Sequence, residues 1–329
     1  MAELRKDPIT GRWVIIATER AKRPMGIAQA PEPGPVGIDP FLPGNEHLTP
    51  PEIMRYPDET GRHPWALRVI PNKFPALKVE GQIEREGIGL FDKMTGIGAH
   101  EVVIETPEPN KRFADYNEHE LELVFAAYRD RSRDLQRDVR LQYVLVFKNE
   151  GRLAGATQRH SHSQLIALPI VPKTVLEELA GAREYYEFKE RNVYLDIINQ
   201  ELRYGERLVT ENPDFVTIAP FASCFPFELW VLPRRYAPCF HEIRDDQITF
   251  LAKIMSRTMK LLERALGTFA YTLVIHTSPL QDCRPPYYHW HIEIMPRLSR
   301  VGGFEAGTGF YINPTPPEEV AAYLRQTKL

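Results

Sequence analysis

The sequence predicts an α+β fold made of two similar halves, each an antiparallel sheet with packed helices. Strand-like runs, one long helical stretch and two more strand-like runs follow one another in that order, and the same order occurs again in the second half. The last strand of each set opens His-x-His and ends with a proline. Tyr143 precedes His160 by 17 residues, and Tyr271 precedes His289 by 18. A repeated order of elements indicates an internal duplication, the alternative being coincidence between two ordinary α+β segments.

The length of 329 residues fits two domains or one large sheet-based unit, at roughly 150 residues a domain. We predict an N-terminal half over 1–171, a helical connector over 172–200 and a second half of similar fold over 201–329. Residues 31–64 are rich in proline and glycine with little periodicity, which predicts a long loop or a poorly ordered arm.

The elements of the two halves are predicted from periodicity and from β-branched content. A helix over 117–138 is indicated by apolar residues at i, i+3 and i+4 spacing, at Leu121, Val124, Phe125, Tyr128 and Leu135. The strands predicted in the first half are 65–77, 101–105, 141–147 and 160–169. The second half has two strand-like runs within 215–233, a helix over 245–266, and strands over 271–275 and 289–296.

Composition excludes several classes of function. Lys+Arg 41 against Asp+Glu 44 gives a formal charge of -3, so there is no overall basic field for nucleic acid or an anionic membrane. The N-terminus lacks the apolar region of a signal peptide, so we expect a cytoplasmic protein with small-molecule partners. Three widely spaced cysteines, Cys224, Cys239 and Cys283, indicate small buried side chains rather than a disulfide framework.

The pattern with the clearest chemistry runs from a glycine-containing loop into paired histidines. Side chains alternate along a strand, so His160, His162 and Gln164 are expected on one face. Upstream, Gly151 and Gly155 lack a Cβ, which would allow backbone N–H groups to approach an anion closely. This arrangement favours attack on phosphorus.

The expected roles follow from the side-chain types. An imidazole is a competent nucleophile near neutral pH if one nitrogen is unprotonated, so the other should donate to a carbonyl, most plausibly on the same strand. An amide at Gln164 can donate to a phosphoryl oxygen but cannot protonate a leaving group. The site is therefore predicted to transfer a group rather than to hydrolyse.

The chain resembles the galactose-1-phosphate uridylyltransferase family, within the histidine-triad superfamily, over nearly its whole length. The residues that carry the resemblance are Asp7–Val14 (DPITGRWV), Glu19–Pro24 (ERAKRP), Pro40–Phe41, Pro43–Glu46 (PGNE), Val69–Asn72 (VIPN), Asn149–Gln164, Phe225–Glu228 (FPFE), His289–His291 (HWH) and Gly302–Glu305 (GGFE). The fold class it implies is a pair of histidine-triad-like half-domains, with the nucleotidyl-transfer site in the N-terminal half.

The resemblance implies a ping-pong reaction in which His162 attacks the α-phosphorus of UDP-glucose and a hexose 1-phosphate then collects the uridylyl group. His160 and Gln164 would complete the catalytic set. Glu305 matches a hexose-contacting residue that reaches the other subunit's site, which implies a homodimer. The remaining positions that match nucleotide- or phosphate-binding residues of the family are Arg20, Arg23, Asn72, Asn149, Gly155 and Thr157.

The sequence departs from the family's structural zinc site. Where the family has two cysteines and a histidine, this chain has Asp39, Leu42 and Pro109, which with His160 leave too few donors. We therefore predict that this zinc is absent. A second family metal site, for a single zinc or iron, is matched or approximated by Glu178, His276, His289 and His291. Glu293 shares the strand face of the two last histidines, and a hydrogen-bonded polar cluster is the alternative.

Two other functions are compatible with these residues. The motif His-Ser-His-Ser-Gln and the segment 307–313 also resemble those of ADP-glucose phosphorylases, which pass an adenylyl group to phosphate. Uridylyltransferases often have an aspartate where this chain has Lys73, so the preference for a uridine or an adenine nucleotide stays open. A non-catalytic nucleotide-sugar binding protein is the third interpretation, and the presence of His162 and Gln164 argues against it. The sequence does not specify which hexose 1-phosphate is the acceptor.

Overall fold

A computed structural model describes residues 2–22, 37–282 and 284–329. The predicted nucleotide-binding residue Arg23 and the cysteine Cys283 lie outside these ranges. The described chain has fifteen strands: β1 (Glu3–Lys6), β2 (Trp13–Ile16), β3 (Met54–Tyr56), β4 (Leu67–Pro71), β5 (Arg85–Ile88), β6 (Phe91–Met94), β7 (Ala99–Ile104), β8 (Tyr143–Glu150), β9 (His162–Leu168), β10 (Leu208–Glu211), β11 (Phe215–Ile218), β12 (Leu229–Pro233), β13 (Tyr271–His276), β14 (His291–Pro296) and β15 (Tyr311–Asn313).

Six α-helices accompany the strands in the described part of the chain. They are α1 (Glu118–Gln136), α2 (Lys173–Lys189), α3 (Val193–Tyr204), α4 (Asp245–Leu266), α5 (Gly303–Thr308) and α6 (Pro317–Gln326). None of the helices in the described ranges is both long enough and apolar enough to cross a lipid bilayer.

Ten strands form one sheet whose order is symmetric about its centre. The order is β10-β11-β12-β14-β13-β8-β9-β7-β4-β3, and every neighbouring pair is antiparallel. Reading outward from the β13–β8 pair, β13 corresponds to β8, β14 to β9 and β12 to β7. The long helix α1 lies between β7 and β8, and the long helix α4 lies between the corresponding strands β12 and β13. The predicted α+β fold of two similar antiparallel halves is confirmed.

The two long helices pack on one face of this sheet and share one hydrophobic core. Val124 and Phe125 of α1 belong to the same buried cluster as Leu251 and Met255 of α4. Asn117 caps α1 by accepting from the Glu120 N–H, while the Glu120 carboxylate accepts from the Asn117 N–H. The apolar stripe predicted for this helix therefore faces the sheet and the other half.

Helices α2 and α3 cover the other face of the second half. Tyr194 and Ile198 of α3 pack with Val216 and Leu232 of the sheet in a separate buried cluster. In α2, Gly181 allows a close approach to the N-terminal segment, because a Cβ built on it would lie 1.8 Å from the carbonyl oxygen of Ile9. These helices occupy most of the segment predicted as a connector, whose boundaries stay a prediction.

Several element boundaries differ from the sequence prediction; the predicted strand over 65–77, for example, is observed only as β4. The two His-x-His motifs do not open their strands, because β9 begins at His162 and β14 begins at His291. The first histidine of each motif therefore lies outside the strand alternation, and its ring need not share the face of the second. Within the described part of the proline-rich segment, β3 pairs with β4 in register Met54↔Val69, so that part is not only a loop.

Candidate functional site

The candidate nucleophile lies where the loop after β8 enters β9. Gly151 and Gly155 bound this loop with φ values of 78° and 89°, a left-handed region that favours glycine. Between them lies a single 3₁₀ turn, Arg152–Ala154. The chain then returns to the sheet at His162, whose Cα partner on the neighbouring strand is Ile104. The two glycines thus set the turn that leads the chain back into β9, between β8 and β7.

His162 has the tautomer that a nucleophile needs. Its Nδ1 lies 2.8 Å from the carbonyl oxygen of His160, and because a carbonyl only accepts, Nδ1 carries the proton. The side chain is buried, and burial together with the charge of Lys148 lowers the pKa of His162 below its usual range. The neutral ring therefore presents its lone pair at Nε2. The predicted donation to a carbonyl is observed, and the carbonyl is that of His160, two residues before the strand begins.

A buried ion pair lies directly beneath this segment. Lys148 Nζ lies 2.8 Å from Glu105 Oε2, 2.8 Å from Ser161 Oγ and 3.2 Å from the carbonyl oxygen of His162. Burial opposes the charge on Glu105, but Lys148 and the hydroxyl donors around it hold the pKa of Glu105 below its usual range. Two of those donors are Tyr128 and Tyr116. The backbone of the histidine motif is thus fixed from below by a fully partnered charge pair, which the sequence analysis did not identify.

His160 is held by two acceptors and its ring is separate from that of His162. Its Nε2 lies 2.7 Å from the carbonyl oxygen of Thr106, and its Nδ1 lies 2.8 Å from Asp39 Oδ2. Partial burial opposes ionisation of Asp39, but hydrogen bonds from His160 and the Phe41 N–H lower the pKa of Asp39. Asp39, which replaces a family cysteine, is thus the hydrogen-bond partner of the histidine. The direct contribution of His160 to the nucleophile is its backbone carbonyl.

Gln164 lies on the same strand as His162, and its amide contacts a histidine that sequence analysis missed. Gln164 Oε1 is 2.7 Å from His100 Nε2 on β7. The same nitrogen is 3.1 Å from the amide Nδ2 of Asn72, a predicted nucleotide-binding residue. The structure therefore brings Asn72, His100 and Gln164 together. His100 and Gln164 lie on neighbouring strands and are far apart in the sequence. No sequence spacing therefore indicates their contact, and only the pairing of β7 with β9 reveals it.

The glycine loop uses part of its backbone for hydrogen bonds of its own. The N–H groups of Ala154, Gly155 and Ala156 all donate to carbonyl oxygens inside the loop, at Gly151 and Arg152. These three N–H groups are therefore not available to an anion in this conformation. Thr157 is exposed beyond the loop. Asn149 lies before the loop, with its amide nitrogen 4.0 Å from the position of a Cβ on Gly155.

The other two predicted substrate residues lie away from this loop. Arg20 is exposed in the single-turn helix Thr18–Lys22. Glu305 lies in α5, where its carboxylate accepts from the Gly302 N–H at 3.0 Å. Glu305 also lines a small cavity with Cys224, Arg300 and Tyr311. That cavity lies where β12 begins and β14 ends, and these strands are four and three positions from β9 in the sheet, so His162 of the same chain is not its neighbour.

The predicted metal residues come together in the second half, with one replacement. Glu178, His276, His291 and Glu293 each offer a ligand atom within 4.8 Å of the others. His289 is not among them, because its Nε2 lies 2.8 Å from Pro233 O and its Nδ1 accepts from the Ala237 N–H at 3.2 Å. The expectation that His289 is a ligand is therefore corrected in favour of Glu293.

The donor atoms of this cluster fit a metal ion. His276 Nδ1 is 2.7 Å from Glu178 Oε1, and His291 Nε2 is 3.5 Å from Glu293 Oε1, yet neither buried nitrogen makes a hydrogen bond. Two imidazoles and two carboxylates are a donor set suited to zinc or ferrous iron. Burial opposes protonation of His276, but the two carboxylates raise its pKa to about 9. A proton on His276 is thus the alternative source of the positive charge that the carboxylates require.

A second group of donors, Cys239, His241 and Glu242, fits a metal less well. The Cys239 thiol is 3.1 Å from the hydroxyl of Ser278, and Arg284 donates to Glu242 at 2.7 Å. Two of the three donors therefore already have partners, and one partner is a cation.

The symmetric ten-stranded sheet with a His-x-His motif in each half defines the chain as a duplicated histidine-triad protein. A model described as galactose-1-phosphate uridyl transferase, N-terminal domain, matches residues 1–172, and a model described only as a domain of unknown function matches residues 113–327. The chain therefore belongs to the galactose-1-phosphate uridyl transferase family. The resemblance stated from the motifs is confirmed, and the chain is an enzyme of the nucleotidyltransferase class.

Individual relatives match over almost the whole chain. An ADP-glucose phosphorylase from Arabidopsis thaliana is 38% identical over 99% of this chain and 93% of its own length. A galactose-1-phosphate uridylyltransferase from Thermotoga maritima is 27% identical over 100% and 99%. Among solved structures, the Arabidopsis ADP-glucose phosphorylase with bound ADP-glucose superposes with a TM-score of 0.86 at 35% identity, covering 100% of both chains. A structure of uridylyltransferase gives 0.78 at 28% identity, covering 99% and 98%.

Proposed function

We propose that this enzyme transfers a nucleotidyl group from a nucleotide sugar to a phosphate-bearing acceptor through a covalent intermediate on His162. The observation that carries the proposal is the 2.8 Å contact from His162 Nδ1 to His160 O in a buried, neutral ring. It fixes which nitrogen is the nucleophile and keeps that nitrogen unprotonated.

In the first half-reaction, the lone pair of His162 Nε2 forms a bond to the α-phosphorus of the nucleotide sugar. The bond from the α-phosphorus to the bridging oxygen breaks, and the sugar 1-phosphate leaves with that electron pair. The ring becomes a phosphorylated imidazolium whose Nδ1–H still donates to His160 O, and this contact strengthens as positive charge develops. In the second half-reaction, a phosphate oxygen of the acceptor attacks the same phosphorus and the P–N bond breaks, which returns neutral His162.

The side chain of Gln164 suits this reaction because no proton has to move to the leaving group. A sugar phosphate leaves as a stable anion, so an amide that donates to phosphoryl oxygens is sufficient. Gln164 lies two residues after His162 on β9, on the same face of the strand.

Two pairs of substrates are candidates. Uridylyl transfer from UDP-glucose to a hexose 1-phosphate is supported by the family model and by the name of the Thermotoga relative. Adenylyl transfer from ADP-glucose to orthophosphate is supported by the Arabidopsis relative, at 38% identity. We propose uridylyl transfer as the principal activity and adenylyl transfer as the second candidate.

Intact-mass analysis of the whole chain, incubated separately with UDP-glucose and ADP-glucose, tests both the covalent intermediate and the choice of nucleotide. We expect a uridylyl adduct on the wild type, which disappears on addition of galactose 1-phosphate, and no adduct on His162→Gln. His119→Gln is the matched control, since His119 is exposed on α1. An adenylyl adduct discharged by orthophosphate would replace uridylyl transfer with the second candidate. Absence of any adduct with both donors would contradict the covalent mechanism.

We further propose that one zinc or ferrous ion occupies the site formed by Glu178, His276, His291 and Glu293. The two buried nitrogens without hydrogen bonds support it, because an unpartnered polar atom in a buried site is costly unless a ligand is present. The role proposed for the ion is structural, since it would join α2 to β13 and β14 in the half that does not carry His162.

We also propose that the enzyme acts as a homodimer in the cytoplasm. The cavity that Glu305 lines lies at β12 and β14, which are four and three strand spacings of about 4.8 Å from β9 of the same chain, so a hexose contact would be made in the partner's site. The thiols of Cys224 and Cys239 are not in disulfides, which suits a reducing compartment.

A further inference from the structure

The histidine at the centre of the amide cluster has its hydrogen-bonding polarity set by the backbone. His100 Nδ1 lies 3.1 Å from the backbone nitrogen of Ala76, which can only donate. Nδ1 must therefore accept, and in a neutral ring the proton is then on Nε2. Since Nε2 is a donor, its 2.7 Å partner on Gln164 must be the amide oxygen.

The orientation of Asn72 is fixed by a second backbone group. Its Oδ1 accepts from the Phe74 N–H at 2.9 Å, so its amide nitrogen is the atom that faces His100, at 3.1 Å. The Asn72 amide nitrogen and His100 Nε2 are then both donors and cannot bond to each other. The acceptor for His100 Nε2 is therefore the amide oxygen of Gln164. The hydrogens of the Asn72 amide are consequently not satisfied by His100 and are available to another acceptor.

We propose that His100 is a positioning residue that orients the Gln164 amide so that its N–H donors, beside those of the Asn72 amide held by Phe74, are directed at the anionic substrate. With its oxygen held by His100, Gln164 presents its NH₂ group away from β7, and Asn72 presents its own NH₂ group beside it. A phosphate or ribose oxygen would accept from both. If His100 did not donate, the Gln164 amide could rotate by 180° and present its oxygen to a phosphoryl oxygen, which is repulsive.

This inference rests on the proposed function for its catalytic consequence, but the hydrogen-bond polarity can be measured without catalysis. In ¹⁵N-histidine-labelled whole protein, the ring nitrogen shifts of His100 report the tautomer, and the signal is assigned by its loss in His100→Gln. We expect Nε2 to be protonated and Nδ1 not. A ring protonated at Nδ1 would overturn the proposal, whether or not the protein forms an adduct.

The kinetic test is a double-mutant cycle on the single-turnover rate of adduct formation. His100→Phe keeps a planar ring without a donor and should slow the step about tenfold, the effect expected for one lost hydrogen bond in the transition state. His100→Gln, whose amide can donate to Gln164, should recover part of the rate. In a Gln164→Ala background, His100→Phe should cause no further loss, because its effect passes through Gln164.

If His100 had a purely structural role, the rate losses of His100→Phe and Gln164→Ala would multiply in the double variant, and His100→Gln would not recover the rate. Either result would overturn the proposal. If the wild type forms no adduct with UDP-glucose or ADP-glucose, the proposed function fails. The measured tautomer of His100 then still decides whether its Nε2 donates to Gln164.

Discussion

His162 and His291 occupy equivalent positions in the two halves of the sheet and make the same backbone contact. Each begins the last strand that its half contributes to the ten-stranded sheet, and each Nδ1 faces the carbonyl oxygen two residues earlier, at 2.8 Å for His162 and 3.2 Å for His291. Both rings therefore direct Nε2 away from the backbone. What differs is the group in front of that nitrogen, which is the carboxylate of Glu293 for His291. The duplicated motif thus presents the proposed nucleophile in one half and a candidate metal ligand in the other.

The pH dependence of adduct formation should reflect the lowered pKa of His162. Only the neutral ring attacks, so the rate falls as pH drops through the pKa of His162, and a lowered pKa moves that fall below the usual value near 6.5. Lys148→Met removes a cation that lowers this pKa and leaves the anion of Glu105. We expect the acid limb of kcat/KM to move to higher pH.

The control for this shift is the double variant Lys148→Met with Glu105→Gln, which removes both charges. The acid limb should return toward the wild-type position. Lys148→Met alone should also cost about 3–5 kcal/mol of stability, because it leaves a buried carboxylate unpaired, so the pH profile is measured at a temperature where the variant is folded. An unchanged limb in the single variant would show that the pair acts only on structure.

Asp39→Asn should lower the free energy of unfolding at neutral pH by about 1 kcal/mol, a figure reduced because Asp39 is partly exposed. The pKa of Asp39 is lower in the folded state, so its contribution is complete above the unfolded value of about 3.9 and is lost as pH falls through the folded value. Urea denaturation at several pH values measures the difference between wild type and variant. The difference in the free energy of unfolding between wild type and Asp39→Asn should become smaller at acid pH. The control variant Glu184→Gln, at an exposed position on α2, should differ little from the wild type at every pH. A loss of equal size at every pH would contradict the ionic contribution.

Metal content should distinguish the two histidines of the second motif. We expect one zinc or iron per chain in the purified protein, lost in His291→Gln and retained in His289→Gln, because both nitrogens of His289 are used by backbone groups. Elemental analysis measures the content, and thermal unfolding with and without a chelator measures the stabilisation. Retention of metal in His291→Gln, or a metal-free wild type that chelators do not destabilise, would contradict the proposed site.

Mixing two inactive variants should restore activity if Glu305 serves the partner's site. His162→Gln and Glu305→Ala homodimers each lack one required group at both sites. Random exchange gives half heterodimers with one complete site, so activity should reach about a quarter of the wild type. Activity no higher than that of the separate variants, with exchange shown by mass spectrometry, would place Glu305 outside the partner's site.

The sequence determined much of the fold because its signals are local. Helix α4 was predicted with its observed bounds, since the period of its apolar residues and its flanking residues are properties of consecutive positions. The duplication was visible because both halves keep the order of their elements. The two strand starts were placed two residues early, because periodicity cannot tell a strand from the extended residues that lead into it.

Within the site, the sequence by itself identified the proposed nucleophile, since the proton on His162 depends on a carbonyl only two residues away. Only the tertiary structure decided the partners that other strands supply: Lys148 and Glu105 beneath the motif, Asp39 on His160, and His100 on Gln164. It also exchanged His289 for Glu293 in the candidate metal cluster. The physical reason is that a hydrogen bond or a ligand set depends on distance in space, and residues from 14 to 121 positions apart along the chain become neighbours only when the strands pair.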